Sequence, residues 1–233
     1  METLHILEQS EFQILAAAVG ITDLYGIEPG EPLSEKDVMY HIHEMVQKGL
    51  LSEQEKGFSI DENIKTALLF LKNTKKILAV TGSGQGMENT CFYIGEKVIT
   101  LEESLRDKNA IRIGVYDKDM LFSLLSEKGF LPKPFVEMDI AVLQPQEELL
   151  ETLSEDTQKG LFETAQFELL KEEVLIQYLV FAYGADREPL AVKGLYLLLN
   201  PCNYWIAEKD REETVFLQYD ESSMYERILA ALQ

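Results

Sequence analysis

Three sets of residues in this chain have types and spacings that invite a chemical role, and the first is a glycine-rich loop. The loop comprises Gly82, Ser83, Gly84, Gln85 and Gly86. A P-loop requires Gly-Lys-Ser/Thr at the start of a helix, and a dinucleotide fingerprint must also open a helix. Here the glycines stand between two strand-like segments, so the pattern favours the tip of a hairpin over a phosphate site. We expect this tip to contact a protein partner.

The second set, the histidines and cysteines, predicts neither a metal site nor a cofactor. His41 and His43 are two residues apart on a predicted helix, so they point to different faces, and His5 is remote in sequence. Cys91 and Cys202 form neither a CxxC pair nor a disulfide framework. Both lie in apolar, strand-like surroundings, which is typical of buried free thiols.

The third set is a pair of aspartates, Asp117 and Asp220, each of which follows a tyrosine at the end of a strand-like run. A symmetric pair of catalytic acids is one interpretation. Capping of the helix that follows is the stronger one, and Ser34 and Asp61 are predicted to cap two further helices. No serine, histidine and acid occur in a nucleophile motif. We therefore expect a protein that is not an enzyme.

The charge balance points to a soluble protein whose partner is another protein. The chain has 233 residues with 41 acids against 21 bases, and a formal net charge of −20. This excess disfavours nucleic acid and anionic lipid as partners. The sequence lacks a signal-peptide pattern, and its apolar runs, such as Gly194–Leu199, are too short to cross a bilayer. We expect a cytoplasmic location, while the choice between monomer and homodimer stays open.

Residues 1–74 are predicted to form an N-terminal helical segment that resembles a winged helix. One helix carries Phe12, Leu15 and Val19; a second, starting after Ser34, carries Val38, Ile42, Met45 and Val46 on one face; a short hairpin and a third helix follow. DNA binding is the functional interpretation of this order, but residues 1–60 hold eleven acids, three lysines and no arginine. A groove-reading helix needs arginine or lysine.

The rest of the chain is predicted to contain one module twice, in residues 75–143 and 144–233. Tyr116-Asp117 and Tyr219-Asp220 are separated by a constant offset of 103 residues, which also relates Phe122 to Tyr225. Each junction ends an antiparallel meander of four strands and begins a helix. The predicted strands are Lys76–Thr81, Thr90–Ile94, Lys97–Leu101, Ile111–Tyr116, Val174–Tyr183, Leu190–Leu199, Asn203–Ala207 and Thr214–Tyr219. The predicted fold is therefore α+β, with two quasi-symmetric meander-plus-helix repeats that form a sheet flanked by helices. Residues 75–233 are predicted to form one compact domain, on which the N-terminal segment packs.

The segment between the two meanders gives weaker signals. Phe135–Leu143 favours one more extended stretch, and apolar residues at helical spacing around Leu149–Leu153 and Leu161–Leu169 favour two helices. In the second meander, Tyr204 and Trp205 are neighbours, so one of them should face outward from the sheet. Core packing is the better interpretation for Trp205, and Tyr204 is a candidate contact with a partner.

With this order of elements, the chain resembles the EspG family of proteins associated with type VII (ESX) secretion. The features that carry the resemblance are Lys48–Leu51, Phe58–Asp61, the helix with Ile64, Leu68 and Leu71, and the two Tyr-Asp junctions. Where the family often has Gly-Arg-Tyr, this chain has Cys202-Asn203-Tyr204 and keeps only the tyrosine. The resemblance implies a cytosolic, non-enzymatic chaperone that holds a helical-hairpin substrate before secretion.

Three hypotheses remain open on the sequence. The first is a scaffold or chaperone for a small helical protein. The second is a winged-helix transcriptional regulator with a C-terminal sensing domain, which requires a basic stripe on the surface. The third is an enzyme of unrecognised type, which requires a deep pocket with converging polar groups.

Overall fold

The computed structural model describes residues 3–22, 24–26, 32–82, 90–103, 110–133, 174–183, 188–200, 203–209 and 214–233. The helices are α1 Gln9–Ala18, α2 Glu35–Gln47, α3 Glu62–Lys72, α4 Leu121–Glu127 and α5 Glu221–Ala231. The strands are β1 Thr3–Glu8, β2 Leu51–Gln54, β3 Gly57–Ile60, β4 Lys76–Gly82, β5 Thr90–Ile94, β6 Val98–Glu103, β7 Ala110–Tyr116, β8 Val174–Tyr183, β9 Pro189–Asn200, β10 Asn203–Lys209 and β11 Thr214–Gln218. The predicted α+β class, with antiparallel strands flanked by helices, is confirmed.

The chain divides into two compact units whose boundaries differ from the predicted ones. The first unit is Met1–Lys75 with Thr90–Leu121, and the second is Lys76–Asn89 with Phe122–Gln233. The N-terminal segment does not stand apart because its first strand, β1, pairs with β7 along its whole length. Sequence reasoning did not anticipate this long-range pairing, and the predicted domain boundary at residue 74 stays a prediction.

The first unit contains a sheet in the order β1-β7-β6-β5, in which every neighbouring pair is antiparallel. Side chains alternate between the two faces of a strand, so Leu7, Ile111 and Ile113 share one face, and all three are buried. Helices α1 and α3 contact β7 and β6. Their buried residues Phe12, Leu15, Leu68 and Leu71 complete this core.

Helix α2 and the β2–β3 hairpin extend the first unit. The hairpin turns through Glu55 and Lys56, and Leu51 is its only buried residue. A two-stranded hairpin is marginal on its own. This one is held at its base, where the Asp61 N–H donates to the carbonyl oxygen of Leu50 at 2.9 Å. The order helix, helix, hairpin, helix is observed, whereas the winged-helix interpretation stays a prediction.

The second unit contains strands in the order β4-β8-β9-β10-β11. Tyr178, Leu195, Leu197 and Ile206 alternate onto one face and are fully buried. Helix α5 covers this face, and α4 packs against α5: the Phe122 and Tyr225 rings meet edge to face at 4.9 Å, and Ser126 Oγ donates to Glu221 Oε1 at 3.1 Å. The opposite face carries a second apolar cluster, formed by Tyr196, Leu198 and Ala207 with Val174 and Trp205.

Two tyrosines hold the chain that follows α4 against the second unit's sheet. The Tyr178 hydroxyl donates to the carbonyl oxygen of Phe130, and the Tyr219 hydroxyl donates to that of Pro132 at 2.8 Å. The helix predicted to begin after Asp117 opens with a 3-10 turn, Lys118–Met120, and continues as α4. The extended segment and the two helices predicted within residues 135–169 lie outside the described residues.

Candidate protein-interaction surface

The predicted partner loop falls almost wholly outside the described part of the chain. Gly82 is the last residue of β4, and Ser83, Gly84, Gln85 and Gly86 lie outside the described residues. Tyr204 is half-buried in β10, and its ring meets that of Tyr219 edge to face at 5.6 Å. The Tyr204 side chain already packs on the face of the sheet that α5 covers. The role of Tyr204 as a contact with a partner stays a prediction.

Three of the four predicted helix caps accept the expected backbone bonds. Ser34 Oγ accepts a hydrogen bond from the Asp37 N–H, and the Asp37 carboxylate accepts one from the Ser34 N–H. Together these two bonds form a complete capping box. Asp61 accepts from the Asn63 and Ile64 N–H groups at 3.0 and 3.2 Å. Asp220 accepts from the Ser223 N–H at 2.8 Å.

Asp117 differs from the other three. It stands at the N-cap position, but its carboxylate accepts no capping hydrogen bond and pairs with the Lys97 ammonium instead. The bond from Lys97 lowers the pKa of Asp117 from 3.8 to about 2. The carboxylate is thus fixed as an anion by the neighbouring strand turn, which suits a structural role rather than proton transfer at neutral pH.

An ion cluster ties β1 and α1 to the end of α2. The Glu11 carboxylate is buried, accepts from the Glu8 N–H at 2.9 Å, and pairs with Lys48 Nζ at 2.8 Å. Lys48 Nζ also lies 2.6 Å from Glu8 Oε1. The hydrogen bonds to Glu11 and Glu8 raise the pKa of Lys48, so its positive charge is committed to this cluster. Sequence reasoning missed this cluster, because its members are 37 and 40 residues apart.

A similar ion cluster lies in the second unit, where Glu208 pairs with Lys193 from β9 and Arg227 from α5. Burial alone would raise the pKa of Glu208, but the bonds to Lys193 and Arg227 outweigh it and lower that pKa. Like the Lys48 cluster, this arrangement holds a helix to its sheet. Both are paired charges, which is how proteins tolerate partly buried ions.

The histidines and the described cysteine, Cys91, differ in their contacts and in their burial. His43 bonds to Gln47 at 2.8 Å, and the His41 ring meets the Tyr40 ring edge to face. Burial lowers the pKa of His5, although the Asp61 charge opposes this. Burial also raises the pKa of Cys91 to about 11, which disfavours the reactive thiolate. Among the described residues, no three His, Cys, Asp or Glu side chains converge as a metal site would require.

Exposed apolar side chains are concentrated on α2, the hairpin and β1 of the first unit. Met39 and Tyr40 on α2 are 61% and 60% exposed, and Phe58 on β3 is 47% exposed. Leu4 and Ile6 on β1 are also exposed. The sequence predicts Val38, Ile42, Met45 and Val46 as the packed face of α2, but only Met45 is buried and the other three are half-buried. The signal for this was present, since apolar residues at 38, 39, 40, 42, 45 and 46 exceed what one helix face can bury.

Helix α2 exposes a single lysine, Lys36, which is fewer basic side chains than DNA reading needs. Glu35 and Asp37 are exposed at its start, and Lys36 is the only lysine within it. Lys48, which follows the helix, is held by two glutamates. Together with the exposed apolar residues, this arrangement suits contact with a protein rather than with a phosphate backbone. None of the described helices is both long and apolar enough to cross a membrane.

Comparison with known proteins gives a likeness at the level of fold. No family model matches the sequence. A search of curated proteins gives no match either. Among solved structures, the chain is similar to the Mycobacterium tuberculosis type VII secretion system chaperone EspG5, which was solved in complex with a PE25–PPE41 dimer. The TM-score is 0.59 at 11% sequence identity, over 99% of this chain and 96% of that one. The fold of EspG5 is therefore shared over nearly the whole length of both chains.

Proposed function

We propose that this protein is a non-enzymatic chaperone that binds a secretion substrate before export. The observation that carries the proposal is the near-complete overlap in fold with EspG5, a type VII secretion chaperone. The likeness extends over 99% of this chain and 96% of EspG5, so it concerns the whole fold rather than one part of it. Since fold alone does not determine function, the surface chemistry of this chain must support the same conclusion.

The surface chemistry supports a protein partner. Exposed apolar residues cluster on the first unit, and such residues supply most of the affinity of protein interfaces. The net charge of −20 disfavours polyanions and favours partners with basic or neutral surfaces. The shifted pKa values of Asp117, Glu208 and Lys48 arise from ion pairs that hold helices and strands in place. These groups are therefore committed to structure, which supports a role without catalysis.

We propose that the substrate is a small helical-hairpin protein of the type VII pathway and that it is bound in the cytoplasm. EspG5, whose fold is shared here, was solved in complex with a PE25–PPE41 dimer, which supports a protein substrate. Cys91 is a free cysteine, and free thiols are usual in proteins of reducing compartments such as the cytoplasm.

Internal duplication is part of the same proposal, because a duplicated module explains two Tyr-Asp junctions in one chain. Phe122 and Tyr225, which the offset of 103 residues relates, contact each other. Strands β4 and β8, which open the two predicted meanders, pair antiparallel; Leu78 lies opposite Val180 and Ile77 opposite Phe181, at separations of 102 and 104 residues. A local twofold axis midway between these two pairs would relate Ile77 to Val180 and Leu78 to Phe181, each 103 residues apart. An experimental structure with different strand orders in the two meanders would contradict the duplication.

Chaperone activity is tested by co-expression with helical-hairpin substrates of type VII systems. Each candidate substrate is expressed alone, with this chain, and with an unrelated acidic protein of similar size. We expect at least one substrate to be insoluble when it is expressed alone or with the unrelated acidic protein, and soluble when it is expressed with this chain. If every candidate partitions as it does with the unrelated acidic protein, the proposed function is wrong.

A further inference from the structure

Strand β1 lies at the end of the first unit's strand order, where it pairs only with β7 among the described strands. Its register with β7 runs from Thr3 opposite Val115 to Glu8 opposite Ala110 without a bulge. Alternate residues of such a strand turn their N–H and C=O groups away from the neighbouring strand. Strand β1 therefore offers a row of main-chain donors and acceptors to a further strand.

The side chains of β1 leave this edge open to pairing. Natural edge strands are protected by lysine, proline or a bulge, whereas residues 4–7 of β1 read Leu-His-Ile-Leu. Leu4 and Ile6 share one face of the strand, and they are 54% and 62% exposed. Gly114 lies opposite Leu4 and has no side chain to cover it. The edge thus combines unpaired main-chain groups with two exposed apolar side chains.

The main-chain groups of β1 select an extended segment as the occupant. A helix bonds its own N–H and C=O groups internally, whereas an extended segment leaves these groups free to pair with an edge. A second copy of this chain fits less well. Pairing the six residues of β1 and covering two apolar side chains falls well short of the ~800 Å² per partner that stable dimers bury. Two copies, each with a net charge of −20, also repel each other.

The charges near β1 indicate the sign of the charge on the partner. Arg112 lies opposite Ile6 in β7, and Glu102 lies opposite Arg112 in β6, so these two charges offset each other. Glu8, at the end of β1, shares the Lys48 ammonium with a second glutamate, which leaves one net negative charge there. The whole chain adds a net charge of −20. This field attracts a basic segment and repels an acidic one.

We infer that β1 is a docking edge for an extended, basic segment of a protein partner, with apolar residues at alternate positions, that joins the first unit's sheet as a further strand. The apolar side chains of the segment lie beside Leu4 and Ile6, where cross-strand contacts stabilise the pairing. Main-chain hydrogen bonds supply the affinity, and the alternate side chains supply the specificity. This site goes beyond the proposed chaperone function and does not depend on it.

The test uses a fluorescent peptide of about eight residues, in which valine alternates with threonine and lysine stands at both ends, with fluorescence anisotropy as the readout. One control peptide carries N-methyl groups on its amides, so it keeps its side chains but cannot donate main-chain hydrogen bonds. Another has glutamate in place of each lysine. Leu4→Lys places a charge at an exposed position opposite Gly114, so folding should be unaffected. Val215→Lys is the matched control, because Val215 is 46% exposed on β11, at the end of the second unit's strand order.

We expect the lysine-ended peptide to bind the native protein, and Leu4→Lys to weaken that binding by about tenfold or more. Val215→Lys adds the same charge elsewhere and should change the affinity by less than about twofold. N-methylation should abolish binding, and glutamate ends should weaken it at low ionic strength. Equal binding of the N-methylated peptide, or equal binding to Leu4→Lys and the native protein, would overturn the site. Equal binding of the glutamate-ended peptide would overturn the basic character of the segment.

Hydrogen exchange on the same samples locates the bound peptide. We expect the main-chain amides of Thr3–Glu8 to exchange more slowly when the peptide is present, because an added strand supplies them with acceptors. Protection confined to other strands would overturn the assignment to β1. Sedimentation tests the competing occupant, a second copy of this chain. A dimer of the native protein that Leu4→Lys converts to a monomer would overturn the peptide site and assign β1 to self-association.

Discussion

Replacing Tyr178 by phenylalanine removes one hydroxyl group from the interior of the second unit and leaves a backbone carbonyl without its donor. The Tyr178 side chain is fully buried, and its hydroxyl donates to the carbonyl oxygen of Phe130. Burial also raises the pKa of Tyr178, so the hydroxyl keeps its proton at any physiological pH. An unsatisfied buried acceptor costs about 1–3 kcal/mol, while the ring and its packing are retained. We expect the free energy of unfolding to fall by that amount.

Urea unfolding followed by tryptophan fluorescence measures this loss, because Trp205 is the only tryptophan and lies in the same unit as Tyr178. With a slope of about 2–3 kcal/mol per molar urea, the midpoint should fall by about 0.3–1.5 M. Tyr40→Phe is the control, since that side chain is 60% exposed and the change should cost less than about 0.5 kcal/mol. Equal midpoints for the two variants would refute the assigned hydrogen bond.

Three further substitutions test local interactions. Asp220→Ala removes a helix cap and should lower the free energy of unfolding by about 1 kcal/mol in the same urea assay. The pKa of Asp117 is about 2 in the folded protein against 3.8 ordinarily, so the stability that its ion pair adds is complete above about pH 5 and is lost as the pH falls towards 2. Lys97→Met should raise the NMR titration midpoint of Asp117 from about 2 towards 3.8, because Lys97 is the largest cause of the shift. Gly26→Ala and Gly49→Ala both place a side chain at positive φ, which costs about 1–2 kcal/mol in each variant. Only at Gly26 would the new carbon also lie 2.3 Å from the Cys91 sulfur. The thermal midpoint of Gly26→Ala should therefore fall further than that of Gly49→Ala.

Much of the strand pattern could be predicted because short apolar runs end at residues that favour turns. Thr90–Ile94 and Val174–Tyr183 have the predicted bounds, and the other predicted strands differ by a few residues at their ends. Strand β1 was missed. Its sequence has no turn signal before it and no clean alternation, and it is stabilised by pairing with β7, more than a hundred residues away. A strand that depends on such a distant partner leaves little local signal.

Side-chain roles were harder to predict than strands. The alternation rule correctly places Tyr204 and Trp205 on opposite faces, but it cannot reveal that both faces of the second unit's strands are packed, one by α5 and one by the cluster around Tyr196. The cap at Asp117 failed for a similar reason. A capping signal is local, whereas the competing partner, Lys97, comes from the turn before β6. The exposure of Met39 and Tyr40 on α2 escaped notice because only Val38, Ile42, Met45 and Val46 were considered, as the packed face of that helix.

Native mass spectrometry of this chain after co-expression with a helical-hairpin type VII substrate tests the central claim most directly. The chaperone account predicts a stable complex whose mass equals the 26.6 kDa chain plus its substrate, and which persists at moderate ionic strength. A spectrum that contains only the free chain, with every substrate tried in soluble form, would contradict the account.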